Sequence, residues 1–274
     1  MKSWFKKVYA SLKKYLAIVK ISFSNKMAYT VDLISEILFL TFIFSILYFL
    51  YLATSKVAPS SPVEKLSLVQ TMWIVFCVNV FVALRGRGVS YLLKDEILSG
   101  QIAYQLNRPY SYIIFHFAQD FGTRLPLILF GGPFMGLFVY FLVGIPQISV
   151  LFLLLGVLML FIGAIIAFLI QFCIGLCAFW IGDVDPIRWI YLQIMVVAGG
   201  ASVPLAFFPV FIRKIVLLLP FSNVAYGASR ILVGCHHDDV LFYLGMQIFW
   251  LIMMLIITKI LFRTGVKNVV ICGG

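Results

Sequence analysis

Residues 148–180 read ISVLFLLLGVLMLFIGAIIAFLIQFCIGLCAFW, with no Asp, Glu, Lys or Arg in the run. A helix needs about 20 apolar residues to cross the hydrocarbon core of a bilayer, so this stretch reads as a membrane span. Working outward, comparable apolar runs occupy 29–53, 66–84, 113–143, 189–208 and 240–262. Six spans then belong to one transmembrane domain covering 1–274. The composition agrees, at 63% hydrophobic, 16% aromatic and only 11% charged, with mean hydropathy +1.09. Soluble domains carry about 25% charged residues, and no single soluble core hides so much apolar surface. Soluble enzymes, disordered chains, collagens and disulfide miniproteins are excluded. The fold class is an all-α polytopic membrane protein.

Ahead of the first span, residues 1–26 read as an amphipathic interfacial helix. Trp4, Phe5, Val8, Leu12, Tyr15, Leu16, Val19 and Phe23 fall on one arc, and Lys2, Lys6, Lys7, Lys13, Lys14 and Lys20 on the other. Such a helix lies in the headgroup layer, aromatics inward and lysines toward lipid phosphates. The net charge of +11 therefore points to anionic membrane lipids as partners and not to nucleic acid. With the N-terminus inside, fifteen Lys and Arg flank the inner ends of the spans and five the outer ends. This bias predicts a multi-pass protein of the cell (inner or plasma) membrane with both termini cytoplasmic. No cleaved signal peptide is evident, because the first long apolar run begins too far from Met1. The five cysteines, Cys77, Cys173, Cys177, Cys235 and Cys272, read as small buried hydrophobes.

Between the second and third spans, 85–112 is the longest polar stretch. Val89, Leu92, Leu93 and Ile97 share one helical face, with Lys94, Asp95 and Glu96 off it. Ser99-Gly100 ends that helix, since glycine takes the left-handed position at a helix C-terminus. A second short piece, 101–107, stops at Pro109. A helix pair between two spans suits either docking of a soluble partner or rest on the lipid surface.

The stretch DEILSGQIAYQLNRPYSY, 95–112, resembles the cytoplasmic segment of ABC-2 type transporter permeases, the membrane subunits of ABC exporters. Glu96, Ile97, Ser99, Gly100, Ile102, Leu106, Arg108 and Pro109 carry the resemblance. Farther on, VPLAFFPVFIRKIVLLLPF, 203–221, is similar to that branch's outer segment through Pro204, Pro209, Pro220 and Phe221, and Phe179-Trp180 closing the fourth span also fits. The resemblance implies a permease that works as a dimer, with a second copy or a related permease, and pairs with separate ATPase subunits. It implies that 85–112 is a coupling helix seated in a groove of the ATPase, with Asp95, Glu96, Ser99, Gly100 and Arg108 at the contact.

The chain has no G-x-x-x-x-G-K-[ST] stretch, the loop that holds ATP phosphates. Gly86 and Gly88 do not supply one. It is therefore expected to be a transport subunit without catalytic residue, cofactor or metal of its own, with ATP and Mg²⁺ bound by the partner ATPase.

Within the third span, His116, Asp120 and Arg124 recur every four residues and share one face. Charges at the bilayer centre are costly. Two readings stand: a polar stripe facing a pathway or dimer interface, or an interfacial turn with the true span starting at Leu125. The stripe also supports the alternative function, a secondary transporter driven by an ion gradient through these three residues. Asp183 and Asp185 before Pro186 read as turn and helix-start residues, and His236-His237-Asp238-Asp239 as a solvated loop. Gly132-x-x-x-Gly136 and Gly199-Gly200 are expected to allow close helix approach. Last, 204–239 is expected to be an outer re-entrant segment and loop, broken at its prolines. Pro204, Phe207, Phe208, Pro209, Phe211 and Pro220 are candidates for an outer gate. The aromatic-rich spans favour an amphipathic or lipid-linked cargo.

Overall fold

A computed structural model of the chain describes residues 2–57, 67–83, 88–146, 148–203, 205, 208–234 and 237–267, with side chains of these except 2–11, 54–57 and 237–239. Thirteen α-helices and no strand occur among the described residues. They are α1 Lys2–Ala28, α2 Thr30–Val57, α3 Leu68–Ala83, α4 Gly88–Leu98, α5 Gln101–Leu106, α6 Tyr112–Pro126, α7 Gly132–Val143, α8 Val150–Leu176, α9 Ala178–Ile181, α10 Asp185–Ala198, α11 Val210–Leu218, α12 Pro220–Leu232 and α13 His237–Val266. A π-helical turn, Leu127–Gly131, joins α6 to α7 directly after Pro126. Proline cannot donate to the helical ladder, and the wider turn absorbs the break without ending the span.

Five stretches are long and apolar enough to cross a membrane: Thr30–Ala53, Leu68–Leu98, Tyr112–Val143, Val150–Ile181 and Val240–Val266. A sixth is possible only as the pair α11–α12, bent by 100°. This differs from the expected fifth span over 189–208. The helix there, α10, has 14 residues, about 21 Å at 1.5 Å per residue, short of a core about 30 Å thick. Gly200, at φ +81°, turns the chain out of the helix. Asn79 Nδ2 on α3 donates to Ala201 O at 2.9 Å, and Tyr51 OH on α2 to Ser202 O at 3.1 Å. Unwound backbone is thus satisfied by side chains from two neighbouring helices.

At the centre stands α8, against which α12, α13 and α4 all pack. Glycines of α8 set these approaches. A Cβ at Gly163 would lie 2.0 Å from Val224 O, and one at Gly156 would lie 2.6 Å from Leu232 Cβ. These two positions lay α12 antiparallel along α8. A Cβ at Gly175 would meet Leu93 Cβ at 2.8 Å and Ser90 Cα at 3.0 Å, which seats α4. Of the expected small-residue sites, Gly132 has nothing within 4 Å and Gly136 makes only an ordinary contact with Phe76 at 3.6 Å.

The deepest helix is α12, the second arm of the bent pair within the expected re-entrant segment. Ser222, Asn223 and Ser229 have no exposed surface, and Arg230 is 7% exposed. Ser222 Oγ donates to Val216 O at 2.7 Å, and Asn223 Nδ2 to Leu217 O and Leu219 O at 2.8 and 2.9 Å. The last carbonyls of a helix lack intrahelical donors, so these side chains close α11 and stabilise the bend at Pro220. From α13, Gln247 Nε2 donates to Met159 O and Asn223 O, and Trp250 Nε1 to Leu218 O.

The second half of α1 runs along α6. A Cβ at Gly122 would meet Val19 O at 2.6 Å, and the Ser111 amide donates to Tyr15 OH at 3.1 Å. Lys26 Nζ lies 3.0 Å from Glu36 Oε2, bridging α1 to α2. Leu12, Leu16 and Ile21 are exposed. Trp4, Phe5 and Val8 lie outside the described side chains. Outside the described residues also lie Arg85, Arg87, Cys235, His236 and Cys272, as do the side chains of His237, Asp238 and Asp239.

Candidate functional site

In the 85–112 stretch, the residues from Gly88 on fold as two short helices. Val89, Ser90 and Leu93 on α4 are buried, and Val89, Leu93, Ile102 and Tyr112 form one cluster with Phe168, Leu169, Phe172 and Leu176 of α8. Leu92, expected on the same face, is instead 42% exposed. The α4 helix ends as the sequence predicts. Gly100 takes φ +73°, and the Ser99 amide and hydroxyl both donate to Asp95 O, at 3.0 and 2.6 Å. Nothing lies within 4 Å of a Cβ at Gly100, so the dihedral alone calls for glycine there.

Two polar ties hold the outer side of α4. Lys94 Nζ meets Asp183 Oδ1 at 3.0 Å and Asp185 Oδ2 at 2.5 Å, so α4 is bound to the start of α10. The backbone amide of Asp185, and then Lys94, hold the Asp183 carboxyl below the ordinary carboxylate range. On the opposite flank, Glu96 Oε2 accepts from Tyr112 OH at 2.6 Å and lies 3.3 Å from His116 Nε2. That joins α4 to α6.

Around these ties an open groove of about 530 Å³ is lined by Leu92, Asp95, Glu96, Leu98, Ser99 and Gln101. Leu98 is 57% and the nearby Tyr104 66% exposed. Asp95, Ser99 and Gly100 are thus exposed together. Glu96 turns inward at 16% side-chain exposure. Arg108 folds back on its own segment, its guanidinium 4.7 Å from the Tyr104 ring and Nη1 donating to Tyr110 OH at 3.1 Å. Tyr110 OH in turn donates to Gln105 Oε1.

The stripe of the third span divides into two pairs. Arg124 Nη2 lies 2.6 Å from Asp120 Oδ2, both side chains nearly buried, while His116 turns to Glu96. Four of the outer-gate candidates lie among the described residues. Pro204 and Phe207 lie outside the described residues. Phe208 packs partly on the main core, Pro209 and Phe211 are exposed, and Pro220 is buried at the bend.

A second concavity was not foreseen. A cleft of about 470 Å³ runs between α2, α3 and α10. Phe39, Ile43 and Leu47 of α2 and Leu192 and Val196 of α10 form its walls, with Glu36, Asn79 and Ser202 among its few polar lining groups. The pair Gly199-Gly200, where the chain leaves α10, is the one feature of the sequence that marks it. Lys94 and its partners lie 89 and 91 positions apart, and no local pattern reports such a pair.

Residues 62–273 match the family described as ABC-2 family transporter protein. No curated protein matches the chain. The match takes in α3 through α13, with the α4–α5 pair and the bent α11–α12 pair inside it. The chain therefore belongs to the ABC-2 transporter family and is a multi-pass permease subunit of an ABC transporter.

Proposed function

We propose that this permease exports an amphipathic or lipid-linked cargo and that a separate ABC ATPase, holding ATP and Mg²⁺, drives it by seating on the α4–α5 surface. The observation that carries this reading is the division of α4–α5 into two faces. Val89, Leu93 and Ile102 anchor the pair to the bundle, while Leu92, Asp95, Leu98, Ser99 and Gln101 form a groove with no partner among the described residues. A partner pressing there moves α4 together with whatever is tied to it. Lys94 carries the motion toward α10, and the packing on Gly175 carries it to α8. Rigid-body movement of packed helices is a known route for such switching.

Two copies, or one copy and a related chain, would enclose the pathway. Lysines on the N-terminal helix and the charge bias of the loops support a cell-membrane protein with both termini cytoplasmic, its α1 resting among anionic headgroups. The cleft between α2 and α10 suits the apolar part of a cargo. Its walls are aliphatic and aromatic, and non-helical backbone at 201–202 lines it. Such backbone occurs at membrane depth only against protein or a wet cavity.

The test is co-purification of the permease with the ATPase encoded beside it. Leu98→Asp and Gln101→Glu are expected to release the ATPase while the permease stays folded. Reconstituted complex, screened for amphiphiles that raise ATP turnover, then identifies the cargo class. A permease that captures no ATPase, or that transports on an ion gradient without one, overturns the proposal.

A further inference from the structure

Neighbouring carboxylates on α4 both border the groove but differ in depth. Asp95 is exposed in the groove, whereas Glu96 leaves only 16% of its side chain exposed. The Glu96 carboxylate heads a cluster drawn from four helices. It takes the Tyr112 hydroxyl at 2.6 Å and faces His116 Nε2 at 3.3 Å. The His116 ring is 1% exposed. It sits edge-on to Tyr112, at 4.4 Å between ring centres, and beside Phe115 and Phe172 at 5.2 and 6.2 Å. Tyr112 stacks on Phe262 of α13 at 5.7 Å. Arg108 is the further charge acting on Glu96.

This tie differs in kind from the one on the other flank. Lys94 meets carboxylates that are 63% and 38% exposed, so solvent screens this tie more than the one made by Glu96. Glu96 makes a charge-assisted hydrogen bond within a packed aromatic cluster, where such bonds are short and strong. The α4–α6 joint is therefore the stiff one and the α4–α10 joint the compliant one. Beyond the joint, α6 runs to Pro126 and the π-helical turn.

We infer that Glu96, held by Tyr112 and His116, is a positioning residue that passes displacement of α4 to the third span, and that it is not a docking contact for the ATPase. The inference rests on the proposal that the ATPase seats on α4–α5. It assigns the motif's two acidic positions to different tasks: Asp95 meets the partner, and Glu96 transmits.

The experiment uses the permease–ATPase complex with spin labels at Leu129 and Leu241, both exposed, in a background freed of reactive native cysteines. The probe is ATP, Mg²⁺ and vanadate. In the parent complex, trapping shifts the distance between the labels. Glu96→Leu keeps the ATPase bound and hydrolysing but lowers the shifted population roughly tenfold, within the range of coupling changes from single residues. Glu96→Gln, which still accepts from Tyr112 and faces His116, restores most of the shift. Tyr112→Phe, which keeps the ring and its stacking, gives a partial loss. A Glu96→Leu complex that sheds the ATPase as Leu98→Asp does makes Glu96 a docking residue and overturns the inference. So does an unchanged shift in both Glu96→Leu and Tyr112→Phe. Should the parent permease capture no ATPase at all, the functional proposal fails, and this inference with it.

Discussion

Lys94 on α4 reaches across 89 residues of sequence to Asp183, with Nζ 3.0 Å from Oδ1, and closes on Asp185 as well. The tie fastens a short amphipathic helix to the beginning of α10. The Asp183 carboxyl is held low first by the Asp185 amide and then by Lys94. A depressed carboxylate contributes above its unfolded value, about 4, and loses that contribution as pH falls through its folded value. The tie is therefore complete at neutral pH and lost only in stronger acid. Lys94→Met is expected to lower amide-exchange protection across α4 at pH 7, measured against the intrinsic rate at the same pH, and acid below about pH 4 to do the same in the parent chain. Unchanged exchange in Lys94→Met removes the tie as an organiser of α4.

Close contact at Gly163 gives a second expectation. Any side chain there meets the Val224 carbonyl, a backbone atom that cannot rotate away. Gly163→Ala is expected to cost about 1–3 kcal/mol, the usual penalty of overpacking. Gly132→Ala, with open space around it, is expected to be neutral or slightly stabilising, since alanine favours helix. Thermal unfolding of the two variants in the same detergent separates them.

Asp120 and Arg124 pair at 2.6 Å with side chains 11% and 8% exposed. Removing one partner leaves a buried charge alone. Asp120→Asn or Arg124→Gln is expected to cost about 3–5 kcal/mol, whereas replacing both by leucine costs far less. A double-mutant cycle on unfolding measures the difference. Equal losses in single and double variants rule out the pairing.

The bend before α12 supplies a fourth expectation. Asn223→Ala strips the side-chain donor from Leu217 O and leaves Leu219 O with Ser222 Oγ as its side-chain donor. An unsatisfied carbonyl shielded from water costs about 1–3 kcal/mol. The variant is expected to open the α11–α12 hairpin to proteolysis near 218–220 before the rest of the chain. Cleavage elsewhere first argues against a closing role for Asn223.

Apolar runs, the Ser99-Gly100 stop and the break at Pro220 were legible in the chain, because each depends on neighbours within a turn or two. The family's motif and the membrane character followed from them. The missed features have a common cause. Ser222, Asn223 and Ser229 look like loop residues, and only their meeting with α11 carbonyls and α8 makes a buried helix of them. Gly156, Gly163 and Gly175 carry no local mark beyond being small. Gly199-Gly200 does admit a close approach, since a Cβ at Gly200 would meet Tyr226 Cδ2 at 3.0 Å, and it also ends α10 early, where Asn79 and Tyr51 supply the missing hydrogen bonds.

Hydropathy along the chain marked five segments that form helices long and apolar enough to cross a membrane, since that free energy is summed over each helix regardless of its neighbours. Which way Glu96 and Lys94 turn, and whether a polar residue caps, pairs or faces a groove, was decided only by packing. Hydrogen bonds and ion pairs act over about 3 Å, and the partners of Glu96 and Lys94 stand 16 to 91 positions apart, at distances that no periodicity in the sequence encodes.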